Sequence, residues 1–230
     1  NQPFGQFFGY QTDGIFVSAS DAAAANLKMM DKTGAYVNFE AGDVRFVDKN
    51  NDNIIDQRDK VVLGNSNPEV FGGFNAAMNY KSLGLKVHFN YSYGNEIYNY
   101  FRSQLESGSS FNNQSVSLVN RWMVDGQQTG IPRSVYGDPK QNNRFSDRWV
   151  EDGSYLRLGL IELSYELPVA KVKFLQGVTL WASANNLLTI TNYLGVDPEF
   201  AVSSDLFYQG IDTGVLPVSK SFNVGLKVYL

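Results

Sequence analysis

The sequence contains no cysteine and only one histidine among its 230 residues. Without cysteine there can be no disulfide bond, thiolate metal site or cysteine nucleophile. A single histidine leaves little for general acid–base catalysis, and neither a phosphate-binding loop nor a Gly-x-Ser-x-Gly elbow occurs. The sequence therefore does not predict an enzyme.

Long apolar runs and basic clusters are also missing. No stretch of about 18 or more apolar residues occurs, so no membrane-spanning helix is predicted. The net charge is −4 and Lys and Arg form no cluster, which argues against nucleic acid as a partner. A transmembrane β-barrel stays open as an alternative, because each barrel strand needs only alternate apolar residues.

Aromatic residues make up 14% of the chain and charged residues only 18%, a balance that favours strands. Residues 85–93 predict the clearest strand, because apolar side chains alternate strictly with polar ones. Residues 74–81 alternate in the same way, and the short segment 82–84 predicts a hairpin. His88 falls on the polar side of this hairpin, where it would line a lumen or a sheet surface.

Three further strands are predicted towards the carboxyl end, at 155–167, 178–185 and 220–230. The alternation slips within 155–167, and a β-bulge near Leu160 would restore a single apolar face. In the last strand every even position from Phe222 to Leu230 is apolar.

The connections between these strands are unequal in length. Segments 82–84 and 168–177 are short, whereas 96–154 and 187–219 are long, and the long ones all fall at one end of the strands. Transmembrane barrels have this asymmetry, with short periplasmic turns and long extracellular loops. Alternation alone fits an antiparallel sandwich in water equally well.

The amino-terminal part predicts a strand within 7–16, a short helix within 22–30 and a calcium-like loop over 48–59. Ligand oxygens would come from Asp48, Asn50, Asp52, the carbonyl of Ile54, Asp56 through water, and Asp59. Asn53 replaces the usual Gly and Asp59 the usual Glu, which predicts weaker binding. The alternative is a polar turn rich in Asp and Asn that binds no metal.

Several segments in order resemble the carboxyl-terminal portion of SusC/RagA-type TonB-dependent transporters. They begin with Gly9-Tyr10-Gln11-Thr12-Asp13-Gly14 and Gly64-Asn65-Ser66-Asn67-Pro68. They continue with Tyr93-Gly94-Asn95-Glu96 and with Asn185-Asn186-Leu187-Leu188-Thr189 followed by Gly195-Val196-Asp197-Pro198-Glu199. The most specific is Arg144-Phe145-Ser146-Asp147-Arg148-Trp149-Val150-Glu151-Asp152-Gly153-Ser154-Tyr155-Leu156-Arg157-Leu158. The departures are Leu230 in place of a final aromatic and Lys220 in place of Arg.

The resemblance implies an all-β fold: a partial antiparallel transmembrane β-barrel in the outer membrane, with about six strands of a larger, 22-stranded barrel and long extracellular loops. Residues 1–230 would form the C-terminal part of the barrel. Within it, 1–70 would be a strand plus an extracellular loop region, and 71–230 the barrel strands and external loops. The implied function is import of glycans or peptides, with a SusD-like lipoprotein and TonB as partners.

About six strands cannot close a barrel, and an open sheet edge in lipid leaves backbone groups unpaired. The expected partner is therefore the amino-terminal plug and barrel portion of the same transporter, as a separate chain or a missing fragment, together with outer-membrane lipid. Trp122, Tyr136 and Phe145 are candidate substrate contacts in the long loops, unless they only pack the loops together. The rival interpretation is a soluble, calcium-stabilised β-sandwich that binds glycans.

Overall fold

The computed structural model describes residues 4–168, 176–200 and 208–230, which are rich in strands. In chain order the strands are β1 (Gln6–Gly9), β2 (Thr12–Ile15), β3 (Lys28–Met30), β4 (Tyr36–Asn38), β5 (Val44–Phe46), β6 (Val61–Asn65), β7 (Val70–Tyr80), β8 (Leu83–Tyr93), β9 (Glu96–Asn99), β10 (Val150–Asp152), β11 (Tyr155–Leu167), β12 (Gly177–Thr191), β13 (Ile211–Asp212) and β14 (Ser221–Tyr229). The helices are α1 (Ala19–Ala25), α2 (Tyr100–Leu105) and the 3₁₀ turns Gln57–Asp59, Val116–Asn120 and Asp147–Trp149. None of these helices is long and apolar enough to cross a membrane.

The described residues form two compact units. The loop unit contains residues 4–66, 96–151 and 208–214, and the sheet unit contains 67–95, 152–168, 176–200 and 215–230. Parts of the predicted connections 168–177 and 187–219 lie outside the described residues. The predicted long connection 96–154 falls mainly in the loop unit, where it is built from β9, α2, two 3₁₀ turns and β10.

The sheet unit is one antiparallel sheet of five strands in the order β14-β12-β11-β8-β7. The predicted hairpin is confirmed: β7 and β8 pair without interruption from Val70 opposite Tyr93 to Tyr80 opposite Leu83. The turn is one residue tighter than predicted, because only 81 and 82 connect the strands and Lys81 adopts a φ of +53°. This pairing fixes which side chains share a face.

The predicted bulge in β11 is also confirmed. Pairing with β8 runs from Leu158 opposite Phe89 directly to Leu160 opposite His88, so Gly159 is the extra residue. A Cβ at Gly159 would lie 3.1 Å from the His88 ring, a close contact that a small shift of this side chain would relieve. The bulge puts Leu158 and Ile161 on the same, apolar face, opposite Phe89 and Val87.

The loop unit holds the buried hydrophobic cluster of the described residues and contains four small sheets. Phe16, Met29, Val44 and Phe46 are its most deeply buried members. The sheets pair β1 with β6, β2 with β5, β3 with β4, and β9 with β10 and β13. These strands have at most five residues, and the side chains between them complete the core.

Two predictions for the amino-terminal part are wrong. The segment 7–16 is two short strands in different sheets, because Tyr10 leaves the pairing and bridges to Ser146. The helix is not 22–30 but α1, which starts earlier at the Ser18 cap and ends where Asn26 adopts a φ of +49°. The residues after Asn26 then form β3.

The stretch 144–151 is a packing element of the loop unit. The Arg144 guanidinium lies 4.9 Å from the Tyr10 ring centroid and 4.5 Å from that of Phe46. Arg102 and Arg148 both stack on buried Trp149, at 5.1 and 4.8 Å. Burial lowers the pKa of Arg148 to about 10, and the neighbouring Arg102 charge adds to the effect. The part of the sequence that most specifically suggested a family therefore stabilises the loop unit.

Candidate functional site

One face of the five-stranded sheet is polar and carries paired side chains. Lys86 Nζ lies 2.9 Å from Glu162 Oε1, and His88 Nδ1 lies 2.8 Å from Asn75 Oδ1. His88 therefore lies on the polar side, as predicted, in a hydrogen bond with a neighbouring strand. Asn185 donates to Ser221 over 2.9 Å further along the same face. A polar face of this kind suits a water-filled lumen.

At one end of the polar face, a loop folds back over the sheet and buries Arg157. This side chain is 3% exposed and pairs with Asp197, which is 7% exposed. The Arg157 Nη1 atom also lies 3.2 Å from Glu199 Oε2, and Asn90 donates to the same carboxylate over 3.1 Å. Because Glu199 is 46% exposed, its carboxylate is the charge of this cluster that faces solvent.

The opposite face is apolar and exposed. Phe74 and Phe89 stack on it with ring centroids 4.8 Å apart, while Phe222 and Val224 are 72% and 76% exposed. In water such a face would be unfavourable, and a β-sandwich would bury it. In a bilayer the same exposure is expected.

Tyrosines mark both ends of the apolar face. Tyr91 and Tyr93 lie at one end of β8, and at the other end Leu83 has Tyr80 and Tyr165 as its two cross-strand neighbours. β8 has eleven residues from Leu83 to Tyr93. Its steps of about 3.3 Å per residue, tilted by about 45°, cover roughly 23 Å of membrane thickness. Aromatic girdles separated by an apolar band of this height are typical of outer-membrane barrels.

The predicted calcium loop is a network of turns. Asp48 accepts hydrogen bonds from the Asn51 and Asn53 backbone N–H groups, both at 2.7 Å. Buried Asp59 accepts from Lys49 N and Asp56 N. Within the described ranges no group of three or more acidic, His or Cys side chains is arranged to hold a metal ion. The calcium prediction for Asp48, Asn50, Asp52, Ile54, Asp56 and Asp59 therefore stays a prediction.

The three predicted substrate contacts lie in different environments of the loop unit. Trp122 packs against the buried cluster and donates from Nε1 to the Val17 carbonyl over 2.9 Å. Phe145 packs edge-on against Tyr98, with ring centroids 4.6 Å apart. Tyr136 is 71% exposed, and its ring lies 4.8 Å from that of Phe111. Of the three, Tyr136 is the most exposed, whereas Trp122 and Phe145 are half-buried.

Sequence reasoning missed two features of these surfaces. Phe111 is 91% exposed, and it lies 25 positions before Tyr136 in a segment with no strand alternation. Arg157 and Asp197 are 40 positions apart. The sequence signal for the second feature was the arginine itself, Arg157, at a polar position of an alternating strand. A buried arginine requires a partner of opposite charge, but the pattern does not say which residue that is.

Comparisons with known proteins agree on one family, although no model of a known protein family matches the chain. The chain is 30% identical to TonB-dependent receptor P3 of Formosa agariphila over 99% of its own length and 22% of that receptor. It is 26% identical to TonB-dependent receptor SusC of Bacteroides thetaiotaomicron over 80% of the chain and 17% of SusC. The chain thus spans about a fifth of the length of the curated relatives it matches.

Solved structures show the same fold. A structure of the RagAB peptide transporter superposes with a TM-score of 0.72 at 22% identity, over 97% of this chain and 22% of that one. The RagAB peptide importer in its open-open state gives 0.69 at 21% identity, over 98% and 23%. Together with the sequence relatives and the two-faced sheet, this shows that the chain is part of a SusC/RagA-type TonB-dependent receptor, a family of outer-membrane β-barrel proteins that are not enzymes.

Proposed function

We propose that the chain forms part of the barrel wall and of the external loops of a SusC-like transporter that imports glycans or peptides. The two faces of the sheet support this proposal. The polar face offers hydrogen-bonding groups to a water-filled lumen, and the exposed apolar face suits contact with lipid. The soluble sandwich is not favoured, since nothing within the sheet unit covers the apolar face. The complete transporter would work with a SusD-like lipoprotein and draw energy from TonB through portions outside this chain.

Within this function, Tyr136 and Phe111 would contact the nutrient. Two neighbouring rings that are 71% and 91% exposed are costly in water but form a platform for sugar faces or apolar peptide side chains. Tyr36 lies in the same unit and is 56% exposed, but it has no such neighbour among the ring pairs of the described residues, so it is a matched control.

The test uses a bacterium in which the gene for the complete transporter is deleted and then restored. The deletion should abolish growth on one defined class of oligosaccharide or peptide, which would identify the substrate. The double variant Phe111→Ala/Tyr136→Ala should then raise the half-saturating concentration for uptake about tenfold, the effect of losing about 1.4 kcal/mol of stacking. Tyr36→Ala should leave uptake unchanged.

Growth of the deletion strain on every glycan and peptide tried would contradict import of these nutrients. Unchanged uptake by the double variant, at normal surface abundance, would refute only the proposed contact of Phe111 and Tyr136 with the nutrient.

We also propose that the 48–59 loop binds calcium weakly. The ligand spacing supports this, as does Asn53, which adopts a φ of +62° at the position where such loops require a sharp turn. Binding would require Asp48 and Asp52 to exchange backbone partners for the ion. The calcium would stabilise the loop and take no part in transport chemistry.

Millimolar calcium should raise the unfolding temperature of the extracted transporter, because an ion that binds only the folded state stabilises it. Asp52→Asn should remove the increase, whereas Asp13→Asn, at an exposed carboxylate outside the loop, should retain it. An unfolding temperature that does not respond to calcium in the unsubstituted protein would refute the site.

A further inference from the structure

The strand β12 extends further than its neighbour β14 at the end of the sheet that carries the long loops. Pairing between these two strands stops at Asn185 opposite Ser221. On its other side, β12 stays paired with β11 up to Thr191 opposite Tyr155. Within the part of the chain that the structure describes, residues 188–191 therefore have a strand partner on one side only. Because alternate residues of an antiparallel strand direct both backbone groups to the same side, two of these four present an N–H and a C=O away from β11.

A pocket of about 370 Å³ lies along this open edge, and we call it the β12 slot. Its walls are residues 188–191 of β12 and two loop segments that contain Pro198 and Pro217. Neither proline has an N–H to donate, so the loop cannot continue the hydrogen-bond ladder of β14 at these positions. The volume is within the range of pockets that bind small molecules. The slot is thus a cavity with a strand edge as one wall.

The position of the slot decides what can reach it. Strands that extend the sheet beyond β14 would lie two strand spacings, about 9.5 Å, from β12, and could not pair with it. Thr189, in the wall, is opposite Arg157 in the register, and the Arg157 partner Asp197 also lines the slot. The slot therefore adjoins the polar face, which would line the lumen.

We propose that the β12 slot binds the backbone of an extended nutrient peptide, which adds a short strand to the edge of β12. This inference rests on the proposed function, because the peptide would reach the slot from the lumen of the transporter. Strand addition requires a partner whose N–H donors and C=O acceptors repeat along one line. A peptide backbone has this repeat whatever its side chains are, whereas the hydroxyl groups of a glycan do not follow it. The slot therefore selects peptides over glycans, and it does so without a sequence requirement.

The test is native mass spectrometry of the complete, detergent-extracted transporter. It is incubated with a mixture of random hexapeptides or with the matching oligoesters, in which an ester oxygen replaces each amide N–H. We expect the hexapeptides to be retained about tenfold more, the scale of two hydrogen bonds. Val218→Trp, in the wall of the slot, should fill it and lower hexapeptide retention to the oligoester level. Leu216→Trp, at an 89% exposed position of the same loop outside the wall, should leave retention unchanged.

Equal retention of hexapeptides and oligoesters by the unsubstituted protein would overturn the strand addition. Equal retention of hexapeptides by the two tryptophan variants would overturn the location in the slot. Both results are separable from failure of the proposed function. A transporter that imports only glycans would give a negative result here, while deletion of its gene would still abolish growth on its substrate.

Discussion

Arg157 shows how a single charged residue connects the sheet to a loop. It stands at a polar position of β11, and Asp197 reaches it from a segment that also receives a hydrogen bond from Val218 N over 3.2 Å. Removing one partner of a buried pair leaves the other charge without compensation, which is far more costly than losing an exposed pair. Arg157 has one partner of each kind, Asp197 and Glu199.

The two carboxylates should therefore respond differently to neutralisation. Asp197→Asn should destabilise the folded transporter by up to about 3–5 kcal/mol, the range for breaking a buried ion pair. Glu199→Gln should cost at most about 1 kcal/mol, because this carboxylate is half exposed. Denaturant midpoints, read from the gel mobility of the folded barrel, compare the two. Equal losses would show that Arg157 does not distinguish its partners as the structure indicates.

At the scale of elements, the bulge in β11 decides which residues face lipid. Side chains in a strand alternate between the two faces of the sheet. Inserting or deleting one residue therefore moves every later side chain of that strand to the other face. Gly159 separates Leu156 and Leu158 from Ile161 and Leu163, yet these four share the apolar face, while Leu160 lies opposite His88 on the polar one. Arg157 is thereby kept on the polar side.

Deletion of Gly159 should prevent assembly of the barrel. The change would turn Arg157 towards lipid, at a cost of up to about 2–4 kcal/mol at mid-bilayer, and would also break its pair with Asp197. Folded barrel in outer-membrane fractions, measured by heat-modifiable gel mobility, should disappear. Gly159→Ala keeps the residue count and should still assemble, since the nearest atom is a side-chain carbon at 3.1 Å. Normal assembly of the deletion variant would contradict the register.

The elements that sequence could predict are those with a local signal. Alternation located the hairpin and the bulge, because a half-buried strand repeats every two residues. The end of α1 was missed because it depends on one left-handed residue, Asn26, within an alanine-rich segment that favours helix. The partnership of Arg157 with Asp197 depends on a loop that returns to the sheet, and the local sequence carries no signal for that.

At the scale of the whole molecule, the sheet is open on both sides. Within the described residues β7 and β14 each pair with one strand only, so the outer backbone groups of Val70–Tyr80 and Ser221–Tyr229 face away from the sheet. Lipid offers those groups no hydrogen bond, and each unsatisfied group would cost several kcal/mol. The two edges must therefore meet further strands in the membrane.

Hydrogen exchange of the complete transporter in lipid vesicles tests this closure directly. Outward amides of an open edge would exchange within seconds to minutes, whereas paired amides open only through local unfolding. We expect peptides from 70–80 and 221–229 to be protected as strongly as the inner strand β11, with the exposed segment around Phe111 as the fast-exchanging control. Fast exchange confined to β7 and β14 would mean that the sheet ends at these strands. That result would contradict a closed barrel that includes this sheet.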